Sequence, residues 1–214
     1  MPPHTPKPPP RVRTRLEHDE RRTQILSAAR ALFSERDYQA VSSSEIATAA
    51  GVSRGLLNHY FGTKRDLYLE VMRELMAVPP VPVPEYVEGS TVEERVHQSV
   101  DGWLEPLQRN AHTWLTAVEA AGSGRDPELE SLLDTAREKA VARIVEVTGL
   151  GPLARVHPEV RGVLRGFSGM AETTTREWLR GGRLSRRQAH VLLETTLLTL
   201  IRETLPKVLA AAED

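Results

Sequence analysis

Apolar and polar residues alternate along this chain with a helical period from Glu20 onward. Ile25, Ala28, Ala29, Leu32 and Phe33 recur at i, i+3, i+4, i+7 and i+8, which places them on one face of a first helix. Ser42 and Glu45 have the spacing of a capping box, so a second helix is expected from there to Gly51. Ser53 can cap a third helix reaching Phe61. Thr63 and Asp66 can cap a fourth that carries Leu67, Val71 and Leu75. Prolines 79, 80, 82 and 84 then end the helical pattern and read as a linker.

The remainder is a further series of helices. Thr91 and Glu94 form a second capping box, ahead of an apolar stripe of Val92, Val96, Val100, Trp103 and Leu107 in which Pro106 predicts a kink or break. Trp114, Leu115 and Val118 carry the pattern to Gly122. Asp126 followed by Pro127 starts a helix to about Thr148, and His157-Pro158 starts a long one to Leu179. Gly181-Gly182 stops that helix, and Ser185 with Gln188 caps a last one to about Ala211. No alternating strand pattern and no fixed-period repeat occur. The expected fold is all-α: an N-terminal three-helix helix-turn-helix domain over residues 20–75 and a C-terminal helical bundle over residues 76–214.

Residues 1–19 are proline-rich and then basic, and are expected to form a disordered or extended arm. Arg13 and Arg15 in that arm are candidates for a DNA minor groove, against the plainer alternative of a solvated tail. Lys and Arg outnumber Asp and Glu by twelve to nine over residues 1–75, while beyond that acids lead by twenty to sixteen. Apolar residues make up 40 % of the chain and charged residues 27 %, a water-soluble balance with no stretch long enough for a membrane span. The absence of cysteine excludes disulfides and thiolate metal sites and fits a cytoplasmic setting.

The informative segment is SSSEIATAAGVSRGLLNHYF, residues 42–61. Two helices that cross at a tight turn need a small residue at the crossing, Ala47, and one tolerant of positive φ in the turn, Gly51. Ile46, Ala50, Val52, Leu57 and Tyr60 supply inward anchors. Ser53, Arg54, Gly55, Leu56, Asn58 and His59 are left on the outer face, where short or polar side chains can meet bases and phosphates.

The stretch EIATAAGVSRGLLNHYFGTKRDLY resembles the DNA-binding signature of TetR-family regulators, and the resemblance covers about residues 20–75. It implies a regulator that binds an operator in double-stranded DNA, with Ser43 and Ser44 on phosphate at the start of the second helix and Lys64 on phosphate at the start of the fourth. Asn58 departs from the pattern, standing where the family often has a phosphate-contacting tyrosine.

One short helix reads few base pairs, so a two-fold homodimer on paired half-sites is expected. Gly162, Gly166, Gly169 and Thr173 form a stripe opposite the apolar face of their helix. Each mid-helix glycine costs about 0.8–1 kcal/mol relative to alanine, which close approach of another helix can offset. The broad apolar face of the last helix, with Leu193, Leu197, Leu200 and Ile201, completes the expected dimer interface. The alternatives are packing of the glycine stripe against another helix of its own chain, or a kink in the helix.

Trp103, Trp114, Phe167 and Met170, with Glu119, Thr174, His97 or His112 as polar groups, are candidates for a small-molecule effector pocket; ordinary core packing is the alternative. No cofactor and no metal are expected. Glu94-x-x-His97 has no second copy, Gly166-Phe167-Ser168-Gly169 lacks the last glycine of a nucleophile elbow, and no phosphate-binding glycine loop occurs, so the chain does not read as an enzyme. The expected function is a ligand-responsive repressor. A regulator without a small effector, and an activator, are the alternatives.

Overall fold

The computed structural model describes residues 11–76, 90–122 and 126–211, excepting the side chains of residues 11–17 and 122. The chain divides into two compact units, one ending at Val71 and the other beginning at Met72. Every regular element among the described residues is helical.

The first unit begins with α1 (Arg11–Glu35), followed by a short 3₁₀ turn (Tyr38–Ala40), α2 (Ser43–Ala49), α3 (Arg54–Phe61) and the start of α4 (Lys64–Met76). The expected arm is corrected here. Prolines confine themselves to the first ten residues of this stretch, and from Arg11 the chain holds neither proline nor glycine until well past residue 19, so residues 11–19 continue α1. Residues 1–10 and the side chains of Arg13 and Arg15 lie outside the described residues. Ile25, Ala29, Phe33, Ile46, Leu57 and Leu67 form a dry core, closed on one side by the Phe33, Tyr38 and Tyr68 rings.

The second unit holds α5 (Val92–Arg109), α6 (Ala111–Gly122), α7 (Pro127–Thr148), α8 (Gly151–Val156), α9 (Glu159–Leu179), α10 (Arg186–Thr199) and α11 (Leu205–Ala210). The helix starts follow the sequence closely. Thr91 with Glu94 and Ser185 with Gln188 make reciprocal capping boxes, and the Asp126 carboxylate accepts from the Leu129 N–H. Pro106 is accommodated inside α5. The break falls at Asn110, whose side chain and backbone N–H groups both donate to the Pro106 carbonyl. Helix α7 ends on Gly149 at φ 73°, with the Leu150 N–H reaching back to the Val145 carbonyl, and the chain then turns through α8, which the sequence pattern did not reveal.

The core of this unit is built by Val96, Val100 and Leu104 of α5, Val141 and Val145 of α7, Val160, Leu164 and Phe167 of α9, and Leu193, Leu197 and Leu205 beyond. Helices α10 and α11 are joined by one wide π turn (Leu200–Thr204), in which the Leu205 N–H bonds to the Leu200 carbonyl five residues back.

Candidate nucleic-acid interface

The α2–α3 corner follows from its sequence. The Ser42 hydroxyl accepts from the Glu45 N–H while the Glu45 carboxylate accepts from the Ser42 N–H at 2.8 Å, which fixes the start of α2. Arg36 adds an ion pair to the same carboxylate at 2.9 Å. The Ser42 and Arg36 hydrogen bonds stabilise the charged form and hold the Glu45 pKa down, from an ordinary 4.5 to about 2. At the other end Gly51 takes φ 61°, the Val52 N–H bonds to the Ala47 carbonyl, and the Gly51 N–H bonds to that of Thr48. These bonds close α2 as a Schellman motif, a turn that a residue with a side chain adopts only under strain. The Ser53 hydroxyl then accepts from the Leu56 N–H and opens α3.

Helix α3 turns Leu57 and Phe61 inward and leaves Arg54, Gly55, Leu56, Asn58 and His59 exposed, with Ser53 beside them. Ser44 is exposed and Ser43 half-buried at the start of α2. A β-carbon on Gly55 would meet nothing closer than the Ser53 hydroxyl at 3.9 Å, so nothing in this chain explains a glycine there.

Lys64, which the resemblance implies on phosphate, makes contacts within the chain. Its ammonium donates to the Tyr38 and Val41 carbonyls at 2.8 and 2.9 Å and lies 4.0 Å above the Tyr38 ring. Two of its three donors hold the segment between α1 and α2, because those carbonyls have no helical partner to accept from.

The second unit contains a cavity of about 170 Å³ between α5, α7, α9 and α10, closed at one end by Leu75 and Met76 of α4. Trp103, Trp114 and Phe167 line it, as the sequence suggested. Met170, Thr174, His112 and Glu119 do not. Thr174 is buried elsewhere, and Glu119 is half-exposed and pairs with Arg180 at the surface. The cavity's polar groups are instead Ser99, Ser168, Arg143 and the pair of Arg137 with Glu172, whose N–O distance is 2.7 Å. Burial works against the Arg137 charge, but bonding to Glu172 outweighs it and raises the pKa. The sequence did carry a signal. Arg137 falls between Leu133 and Val141 on the apolar stripe of α7, an unusual place for an unpartnered charge.

On α9 the glycine stripe points outward. Gly162, Gly166, Gly169 and Thr173 are exposed, and a β-carbon on any of the three glycines would meet nothing within 4 Å. Among the described residues, nothing in the chain packs against these three glycines. Leu193 and Leu197 are corrected: they are buried in the core and line the cavity rather than facing out. Leu200 and Ile201 are half-buried, and the apolar residues that α10 does expose are Val191 and Leu192. His97 is not a cavity residue either; it lies against His190 and Glu194.

A short helix closed by a positive-φ glycine, followed by a second helix with one buried and one exposed polar face, defines a helix-turn-helix unit. The sequence profile described as "Bacterial regulatory proteins, tetR family" matches residues 25–71, a stretch that contains this unit. The HTH-type transcriptional regulator HbdR of Aromatoleum sp. (strain CIB) is 28 % identical over 127 residues, covering 59 % of this chain and 50 % of HbdR. The HTH-type transcriptional activator FasR of Mycolicibacterium smegmatis is 48 % identical over 59 residues, covering 28 % of this chain and 27 % of FasR. The chain thus spans half or less of these two curated relatives. The crystal structure of a tetR-family transcriptional regulator from Streptomyces coelicolor matches with a TM-score of 0.71 at 25 % identity, over 92 % of this chain and 84 % of that one. The helix-turn-helix domain of this chain is therefore of the TetR type, and the chain shares its fold with a tetR-family transcriptional regulator. No helix among the described residues is long and apolar enough to cross a membrane.

Proposed function

We propose that this protein is a ligand-responsive transcriptional repressor that binds a palindromic operator as a homodimer, laying α3 in the major groove. The observation that carries this reading is the exposed row Arg54, Gly55, Leu56, Asn58 and His59 on a helix whose opposite side is buried. Arg54 can meet guanine O6 and N7, Asn58 an adenine edge, and Ser43, Ser44 and Ser53 the phosphates. Gly55 lets the DNA backbone approach α3 closely. The outward glycine stripe of α9, with Val191 and Leu192 of α10, is the surface for the second copy.

The cavity is the effector site. At about 170 Å³ it is smaller than the ~300–1,000 Å³ of most drug-sized pockets and close to the ~150 Å³ that holds one benzene ring, so the effector is compact and mainly apolar. Its polar contacts are Ser99, Ser168 and the Arg137–Glu172 pair. Leu75 and Met76 belong to α4, which begins at Lys64 directly after α3, so an occupant that displaces them acts on the helix leading to the DNA reader. Such a ligand shifts the DNA-binding population only by its differential affinity for the two states.

Selection of bound sites from a random double-stranded DNA pool tests the reading. A palindrome is expected, and Arg54→Ala should relax preference at one position per half-site. Recovery of non-palindromic or random sequences would reject it. Locating the selected palindrome in the source genome then separates the two modes: overlap with a core promoter supports repression, whereas a site upstream of it would point to activation.

A further inference from the structure

His190 and Glu194 lie one turn apart on α10, and His97 faces them from α5. The carboxylate of Glu194 is 3.2 Å from His97 Nδ1 and 3.4 Å from His190 Nδ1, and one ligand atom from each residue falls within 4.8 Å of the others. The two imidazole rings meet edge to face at 4.5 Å. Ligands held ~2.0–2.1 Å from a tetrahedral zinc ion are separated by ~3.3–3.4 Å, so these spacings are those of two edges of such a coordination shell.

Hydrogen bonding makes a similar demand. His190 Nε2 is 3.3 Å from the His97 carbonyl oxygen and Nδ1 is 3.4 Å from the Glu194 carboxylate, so both ring nitrogens stand near acceptors while a neutral ring carries one proton. With that proton on Nε2, a cation at Nδ1 meets the demand. An imidazole whose distal N–H is tied to a backbone carbonyl is also the usual second-shell arrangement of a metal-bound histidine. Asp101, Arg186 and Arg187 line the same hollow as the two histidines, and Arg186 is bonded to the Asp101 carboxylate at 2.7 Å.

We propose that His97, His190 and Glu194 bind one divalent transition-metal ion of the zinc class, tying α5 to α10 with a fourth position open to solvent. The side chains grade from solvent to interior: His97 is 59 % exposed, Glu194 23 % and His190 9 %. An ion can therefore enter from the surface. Val96 and Leu193, the immediate neighbours of His97 and Glu194, line the effector cavity, so the ion would clamp two walls of that cavity from outside.

The test uses the full chain, stripped with a chelator and titrated with Zn²⁺ against a chromophoric competitor, and with Co²⁺ followed by visible absorption. One ion per chain, an intense tetrahedral cobalt spectrum and a raised melting temperature are expected. His97→Ala and Glu194→Gln, both at accessible positions, should each weaken binding at least tenfold while circular dichroism confirms an unchanged fold. Absence of stoichiometric binding, or equal binding by both variants, would overturn the proposal. So would nitrogen chemical shifts that place a second proton on His190 and do not change with zinc, since an imidazolium fills the same gap.

Discussion

Arg137 donates from both Nε and Nη2 to one oxygen of Glu172, joining α7 to α9 at the wall of an otherwise apolar cavity. Removing Glu172 leaves Arg137 with the exposed Asp134 carboxylate, at 3.0 Å, as its remaining ion-pair partner. Glu172→Ala is expected to destabilise the chain by about 1–3 kcal/mol, below the ~3–5 kcal/mol of a fully buried pair because Arg137 keeps some solvent contact. The double change Arg137→Leu with Glu172→Leu should recover most of that loss. Urea denaturation of the three variants measures both effects, and a double variant as unstable as the single one would contradict this account.

Gly55 separates folding from binding. It sits in the first turn of α3 with open space at its β-carbon position, so Gly55→Ala should stabilise the fold by up to about 1 kcal/mol through helix propensity. If DNA comes close at this point, the same methyl weakens operator affinity. Thermal melts and operator titrations on one preparation should therefore move in opposite directions.

Acid should loosen the start of α2. The Glu45 pKa is depressed from 4.5 to about 2, so its contribution is fully present above 4.5 and is lost as pH falls toward 2. Glu45→Gln keeps an N3 side chain that can accept from Ser42 but cannot titrate. The variant's stability profile is expected to be flatter than that of the parent across that window. Chemical denaturation at successive pH values checks this, and parallel profiles would mean that Glu45 is not responsible.

The outward stripe of α9 supplies a fourth measurement. Gly166→Arg places a long cation on a face where the chain itself has nothing within 4 Å, so the isolated fold should tolerate it. Self-association should weaken by at least tenfold in sedimentation equilibrium. An unchanged dimer would move the interface elsewhere.

The helix starts were legible because capping is local: Ser42, Ser53, Thr91, Asp126 and Ser185 all accept the bonds their spacing implied. The α2–α3 corner was legible for the same reason, with the Gly51 N–H bonding three residues back to Thr48 and the Val52 N–H five residues back to Ala47. Relationships between distant segments were not. Lys64 looked like a surface cation, and only the fold brings the Tyr38 and Val41 carbonyls to it. His97 and Glu194 are 97 positions apart, beyond any motif spacing. Leu193 and Leu197 were assigned outward because a wide apolar face does not say which of its edges meets the chain's own core. Helix α8 was missed because six residues bounded by glycine and proline carry too little periodicity to register.

The wide turn between α10 and α11 has a consequence for how this chain tolerates length changes. In uninterrupted α geometry Thr204 would lie nearly in line with Leu197, and Leu205 about 80° around the axis. With the wider turn Leu205 is buried and Thr204 is left in solvent. The segment therefore behaves as an absorbed one-residue insertion. Deleting a neighbour such as Glu203 would straighten the helix and bring a leucine back into line, whereas the same deletion in α5 or α9 would rotate every following side chain off its partner.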